Sequence, residues 1–117
     1  MRDDKENVIV KLTFEFALDI IEFVELLESE RKYVIAKQML RAGTSIGANV
    51  REAQNAESKN DFIHKIKIAC KEADEVGYFL LLCKASKSYP YNEILNDKLT
   101  VIIKILSKIV SSSKQRS

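Results

Sequence analysis

The chain has 117 residues with 46% apolar and 31% charged residues, which is typical of one globular domain and excludes an intrinsically disordered chain. Its net charge is only +2, and its two cysteines are too few for a disulfide framework and fit a reducing compartment. Three glycines and one proline are too few for the turns of a many-stranded β protein, so the composition favours helices. No apolar run approaches the roughly 18 residues of a membrane span. The charged first residues lead into no signal-type apolar stretch, so we predict a cytoplasmic protein.

Four segments carry apolar residues that recur alternately every four and every three positions. The four repeats begin at Ile9, Ile35, Phe62 and Leu95. Spacing of this kind places the apolar side chains along one face of an α-helix, and four such faces bury one another in a bundle. The segments are joined by short connections. The sequence therefore predicts an all-α fold, an antiparallel up-down-up-down four-helix bundle.

The ends of the helices are marked by polar and turn-forming residues. The charged stretch that ends at Lys32 separates the first two helices, and Ser58, Asn60 or Asp61 is suited to cap the third. Pro90 must end or precede a helix, because it lacks an amide hydrogen. We predict one domain over residues 1–117, with helices near residues 7–29, 32–57, 60–86 and 91–111.

The second helix contains two glycines one turn apart, Gly43 and Gly47. Each costs about 1 kcal/mol relative to alanine in a helix interior, which predicts that a neighbouring helix or a large side chain approaches the backbone there. A phosphate-binding loop is the rival interpretation, but the segment lacks the Gly-Lys-Ser/Thr ending and no strand precedes it. The glycines belong to a second apolar stripe that runs beside the first. Together the two stripes form an apolar face that is wider than one bundle core requires. We therefore expect this helix to contact its own bundle and also another copy of the chain.

A ladder of polar residues runs along the same helix at spacings of four, four and three. Its members are Arg41, Ser45, Asn49 and Glu52. Glu72 and Glu75 on the third helix are the expected partners of Arg41. A partly buried ladder has to be hydrogen-bonded, and it could fix the register between two helices.

Catalytic and metal-binding patterns are weak. Ser45 has no histidine at helical spacing, and His64 is the only histidine in the chain. The distances in sequence from His64 to Cys70 and Glu72 do not place two ligands on one helix face, and the Glu-x-x-His pairs of diiron bundles are missing. We predict no catalytic residue, no cofactor and no metal site.

The charges are unevenly distributed along the chain. Residues 1–30 carry three basic and nine acidic residues, for a net charge of −6, whereas residues 31–117 carry sixteen and eight, for +8. No acidic residue follows Asp97. The acidic first helix could be complemented within the fold or by another copy, or the basic part could bind an anionic partner such as RNA. The candidate nucleic-acid contacts are Arg51, Lys59, Lys104, Lys108, Lys114 and Arg116.

One long stretch, "LRAGTSIGANVREAQNAESKNDFIHKIKIACKEADEVGYFL", resembles a bacterial four-helix-bundle family. This family includes proteins encoded in intervening sequences of 23S ribosomal RNA genes, and it is related to the accessory protein of diversity-generating retroelements. The residues that carry the resemblance are Arg41, Ser45, Ile46, Asn49, Glu52, Asp61, Phe62, Ala69, Glu72 and Glu75. The resemblance implies a homo-oligomer, with ring-shaped pentamers among relatives, no enzymatic activity and a role beside RNA or a nucleic-acid-handling protein.

Three hypotheses about function follow from these observations. The first is a non-catalytic homo-oligomeric bundle of the intervening-sequence type that is associated with RNA. The second is an adaptor that binds a mobile-element protein or another partner through an exposed apolar groove. The third is an enzyme that uses Arg41, Asn49, Glu52 and His64, which requires these side chains to meet in one cleft.

Overall fold

A computed structural model describes residues 4–115, with side chains for residues 8–114. In this part of the chain the helices are α1 (Asp4–Ser29), α2 (Tyr33–Ala53), α3 (Lys59–Ala85) and α4 (Glu93–Gln115). Each helix contacts the next one along the chain, and α4 returns to contact α1. The two diagonal pairs, α1 with α3 and α2 with α4, lie farther apart, with no Cα atoms within 8 Å of each other. The fold is therefore the predicted antiparallel four-helix bundle, a rod of 48 × 21 × 20 Å.

The predicted apolar repeats form the core. Ile9, Ile20, Met39, Ile46, Ile66 and Leu106 are all completely buried. One polar residue shares this environment: the Thr13 hydroxyl donates a hydrogen bond of 2.8 Å to the carbonyl oxygen of Ile9, which satisfies it inside its own helix. The 4-3 spacing therefore identifies the buried face of the helices.

Helices α1 and α2 approach each other at the two glycines. A Cβ atom at Gly43 would lie 2.8 Å from Cγ2 of Ile20, and one at Gly47 would lie 3.3 Å from the Thr13 carbonyl oxygen. Both glycines are buried. The close helix packing predicted at Gly43 and Gly47 is therefore with α1 of the same chain, so neither glycine is left for a contact with another copy. The two glycines of the second apolar stripe serve this contact within the chain.

The helix ends differ from the predicted ones where local hydrogen bonding intervenes. The backbone N–H groups of Gln54, Asn55 and Ala56 donate to carbonyl oxygens three residues earlier, so α2 tightens into a 3₁₀-type turn and ends at Ala53 instead of near residue 57. The Ser58 hydroxyl accepts a hydrogen bond of 3.0 Å from the Asp61 N–H, which makes Ser58 the N-cap of α3. Between α1 and α2, Arg31 adopts a left-handed conformation with φ of 64°.

The last helix is shifted relative to its predicted limits. The Asn92 side-chain oxygen accepts hydrogen bonds from the N–H groups of Ile94 (2.9 Å) and Leu95 (3.3 Å), which caps α4 and makes it begin at Glu93. At the other end α4 continues to Gln115, beyond the predicted limit near residue 111. The three serines at positions 111–113 are thus helical.

Candidate nucleic-acid interface

The polar ladder of α2 lies at the surface along the contact with α3. Arg41 extends across it and donates hydrogen bonds to both oxygens of Glu72 (3.3 Å each) and to Glu75 (2.5 Å). The hydrogen bond with Glu75 and the charge of Glu72 raise the pKa of Arg41. Half of the Arg41 side chain is exposed, so this cluster joins two helices at the surface of the bundle. Arg41 thus has the two partners that the sequence indicated.

The other members of the ladder form hydrogen bonds with the α2 backbone or with α3. The Ser45 hydroxyl donates to the carbonyl oxygen of Arg41 (2.6 Å), and the Asn49 amide donates to that of Ser45 (2.9 Å). Only Glu52 reaches α3, where it accepts a hydrogen bond of 3.1 Å from Lys65. Arg41, Ser45 and Asn49 are thus joined along α2 itself, because Ser and Asn side chains in a helix can reach the carbonyl one turn back.

Several basic side chains of α3 and α4 lie near one end of the bundle. This end contains the first half of α3 and the last half of α4, because the two helices are antiparallel. Between Asp61 and Glu72, α3 carries no acidic residue, and α4 carries none after Asp97. Lys67 and Lys114 are close together: a hydrogen bond that Lys67 donates to the neutral Lys114 amine, and the repulsion between the two charges, lower the pKa of Lys114. Such a concentration of positive charge is suited to an anionic partner.

The structure places the six predicted nucleic-acid contacts unequally. Lys104, Lys108 and Lys114 are exposed on α4 within the basic region. Lys59, in the first turn of α3, is exposed at the same end, as is Arg51 in the last turn of α2, although α2 does not contact α4. Arg116 lies outside the described residues.

Two further basic residues of this region, Lys67 and Lys71, were missed by the sequence reading. Both are exposed on α3. They belong to a 4-3 repeat that continues through Asp74 and Tyr78 on the outer face of the helix. Applying the repeat to exposed positions, and not only to the core, would have identified them.

The hydrogen bonds and ion pairs of the proposed catalytic residues are made with other side chains or with the backbone, and none joins two of these residues. Arg41 is engaged with two carboxylates, Glu52 with Lys65, and His64 is exposed on α3. Within the described part of the chain, no three His, Cys, Asp or Glu side chains are grouped so that they could hold a metal ion. Arg41, Glu52 and His64 line neither of the two clefts that lie between α1 and α4.

Those clefts run along the surface where α1 and α4 meet. The larger, about 260 Å³, has Phe23 and Leu95 in its floor and Asp19 and Glu22 at its rim. The smaller, about 180 Å³, is lined mainly by apolar side chains such as Phe16 and Ile102. Lys98 separates the two clefts, since it lines both and bonds to Asp19 at 2.6 Å. The result is an apolar groove with an acidic edge.

Fold and sequence together define a class of protein, a four-helix bundle with an acidic first helix and a basic last helix. Residues 4–115 contain no helix that is both long and apolar enough to cross a membrane. The chain belongs to the family of 23S rRNA-intervening sequence proteins, whose family model matches residues 5–111. No protein with a curated description matches it.

A solved structure supports the same assignment. The chain is similar to a protein with unknown function from the S23 ribosomal protein family of Bacteroides thetaiotaomicron VPI-5482, whose crystal structure was determined at 1.70 Å resolution. The TM-score is 0.86 and the sequences are 43% identical, over 92% of this chain and 98% of the other. The helical bundle is thus shared along almost the full length of both proteins.

Proposed function

We propose that this chain is a non-catalytic helical bundle that self-associates and binds RNA through the basic end formed by α3 and α4. The family description refers to an intervening sequence of 23S rRNA, which makes RNA the anionic partner to test first. The main support is the charge of α4, where Lys104, Lys108 and Lys114 follow Asp97 without an intervening carboxylate. Phosphate contacts by lysine give affinity without requiring a sequence-specific pocket.

The non-catalytic part of the proposal rests on how the polar residues are used. Arg41 and Glu52, the two charged members of the polar ladder, are occupied by interhelical ion pairs at the surface. Ser45 and Asn49 bond to the backbone of their own helix. An arrangement in which each polar group has a structural partner offers no nucleophile with a base beside it.

The RNA proposal is tested by the salt dependence of binding. Titration of a fluorescent RNA at several salt concentrations should show an affinity that falls as salt rises, with a logarithmic slope of roughly 0.7–0.9 per phosphate contacted. The variant Lys104→Gln/Lys108→Gln should bind more weakly and have a slope that is smaller by about one to two. The matched control is Lys37→Gln/Lys87→Gln, which removes two exposed lysines outside the basic end. An affinity independent of salt, or equal losses in both variants, would refute this binding site.

Self-association is tested by the mass of the native particle. The chain has a mass of 13.4 kDa, and light scattering at micromolar concentration should give a multiple of it. Five copies is the value that the family resemblance favours. A particle with the mass of one chain would contradict this part of the proposal without affecting RNA binding.

The groove between α1 and α4 favours a second candidate function, that of an adaptor for a protein partner. Leu26 and Ile94 are 44% and 63% exposed beside the larger cleft, and its rim is acidic. A basic amphipathic helix has the complementary surface. A complex that survives nuclease treatment but is lost in Leu26→Gln/Ile94→Gln would support an adaptor, whereas a nuclease-sensitive complex would support RNA binding.

A further inference from the structure

The groove between α1 and α4 is elongated. On α1 its lining extends from Leu12 to Leu26, a distance of about 21 Å at the helical rise of about 1.5 Å per residue. Leu26, Ile94 and Val101 along its sides are 44%, 63% and 50% exposed. A contiguous row of exposed apolar side chains is typical of an interaction site. A groove of this length holds about four turns of a helix, and amphipathic helices bury their apolar faces in such grooves.

The edge of the groove that α1 forms is acidic. Glu15, Asp19 and Glu22 follow one another at spacings of four and three residues, so they lie in one row along the helix. The hydrogen bond and charge of Asp19 raise the pKa of Lys98, and the charges of Glu15 and Glu22 add to this effect. A single ammonium group on α4 thus lies beside a row of three carboxylates.

The ion pair of Lys98 leaves this edge with an excess of negative charge. Lys98 bonds to Asp19 at 2.6 Å, and within residues 8–114 neither Glu15 nor Glu22 forms an ion pair. The phosphates of RNA would be repelled from such an edge, and so would the same edge of a second copy, whereas a basic side chain would be attracted. The charges therefore favour a basic helix of another protein as the occupant of the groove.

We propose that the groove between α1 and α4 binds a helix of a partner protein that packs apolar side chains on its floor and brings one arginine to Asp19 in place of Lys98. This proposal rests on the adaptor function, the second candidate above, and names the chemistry of its partner. Arginine is suited to the exchange because its planar guanidinium can donate to Asp19 and to a neighbouring carboxylate at once, whereas the ammonium of Lys98 is a point charge.

The position of Lys98 makes it an internal competitor of the partner. It lies where the two clefts meet, since it lines both of them, so a helix that spans the groove has to pass it. Half of the Lys98 side chain is exposed, and it can turn into solvent without crossing the core. An exposed ion pair contributes little to stability, so its exchange for an arginine of the partner leaves the bundle intact.

The experiment measures the binding of a fluorescein-labelled helical peptide by anisotropy. The peptide spans both clefts, consists of leucine, glutamine and one central arginine, and has its leucines at the four-and-three spacing on one face. Lys98→Met should bind it several-fold more tightly than the wild type, because Asp19 becomes available, and Asp19→Asn should bind it several-fold more weakly. A peptide with glutamate in place of the arginine should bind the wild type more weakly, and Lys98→Met should not improve its binding.

Matched controls change residues of the same kind outside the groove. Lys37→Met removes an exposed lysine from α2 and should leave the affinity for the arginine peptide unchanged. Leu26→Gln/Ile94→Gln should abolish binding, whereas Tyr33→Gln/Val34→Gln, which changes two exposed apolar residues of α2, should not. Circular dichroism should show the helix content of the wild type in each variant.

The opposite effects of Lys98→Met and Asp19→Asn separate the exchange from a general loss of structure, which would weaken both. Failure of the wild type to bind the arginine peptide, equal binding of both peptides, or no gain in Lys98→Met would overturn the exchange. The adaptor function would survive this result if the nuclease-resistant complex were still lost in Leu26→Gln/Ile94→Gln. A smaller native mass or a lower RNA affinity of that double variant would assign the groove to a second copy or to RNA and overturn the proposal.

Discussion

Helix α1 packs against its two neighbours in different ways. Towards α2 it meets Gly43 and Gly47, and its side chains lie against the α2 backbone. Towards α4 the contact is the least extensive of the four, and two clefts remain along it. Both contacts use the same 4-3 apolar repeat. The repeat thus determines that helices associate, whereas the size of the side chains between them determines how closely.

The comparison also shows where the bundle has room for change. At the α1–α2 contact a missing side chain is part of the packing, because the space of the absent Cβ at Gly43 is occupied by Ile20. At the α1–α4 contact large residues such as Phe23 and Leu95 leave space beside them that water or a partner can fill. Substitutions should therefore be costly on one side of α1 and tolerated on the other.

The largest expected effect is that of Gly43→Ala. The new methyl group would overlap Cγ1 and Cγ2 of Ile20, whose β-branched side chain has little rotamer freedom in a helix. Overpacking of about 1–3 kcal/mol exceeds the roughly 1 kcal/mol gained in helix propensity. We expect a net loss of up to about 2 kcal/mol in unfolding free energy by urea denaturation. A variant as stable as the wild type would show that α1 and α2 can separate without cost.

At the loosely packed side, Asn92→Ala should cost about 1 kcal/mol, because it removes the side chain that caps α4. Two N–H groups, those of Ile94 and Leu95, lose their hydrogen-bond acceptor. Hydrogen exchange should accelerate in the first turn of α4 and stay unchanged in α2. Asn92→Asp is the control, since a carboxylate retains the acceptor. Equal exchange in both variants would contradict the role of the cap.

Substitution of the third glycine, Gly77, should change the stability in the opposite direction. A Cβ at Gly77 would lie 3.6 Å from Cδ2 of Leu99, an ordinary van der Waals distance. Gly77→Ala should therefore stabilise the fold by up to about 1 kcal/mol, through helix propensity alone. The urea midpoint should rise relative to the wild type, and Gly43→Ala should lower it in the same assay. A decrease for both would mean that α3 and α4 are packed as tightly as α1 and α2.

The sequence predicted the fold through residues whose role depends on periodicity. The repeat from Ile9 onward needs only helix geometry to identify its buried face, and four such faces have few ways to associate. The partner of Gly43 could not be predicted, because it depends on which of two neighbouring helices comes closest. The basic end was visible in α4 but not in α3, where Lys67 and Lys71 are separated in sequence by apolar residues and become neighbours only on the helix surface.

The smallest expected effects concern two interhelical ion pairs. One joins Lys98 to Asp19 across the loosely packed α1–α4 contact, and the other joins Arg41 to its glutamates between α2 and α3. The hydrogen bond and charge of Asp19 raise the pKa of Lys98. A group whose pKa is raised on folding stabilises the fold fully below its ordinary value, about 10.4 for lysine, and this contribution is lost as the pH rises through the folded pKa. Arginine stays protonated throughout.

The stabilities of the Lys98→Met and Arg41→Met variants should therefore differ at high pH. Urea denaturation at pH 8 should show each variant slightly less stable than the wild type, because exposed ion pairs contribute little. Above the folded pKa of Lys98, wild type and Lys98→Met should become equally stable, whereas Arg41→Met should keep its deficit. If the Lys98→Met deficit persisted in strong alkali, it would come from a difference in how the two side chains pack beside the clefts between α1 and α4, and not from the charge of Lys98.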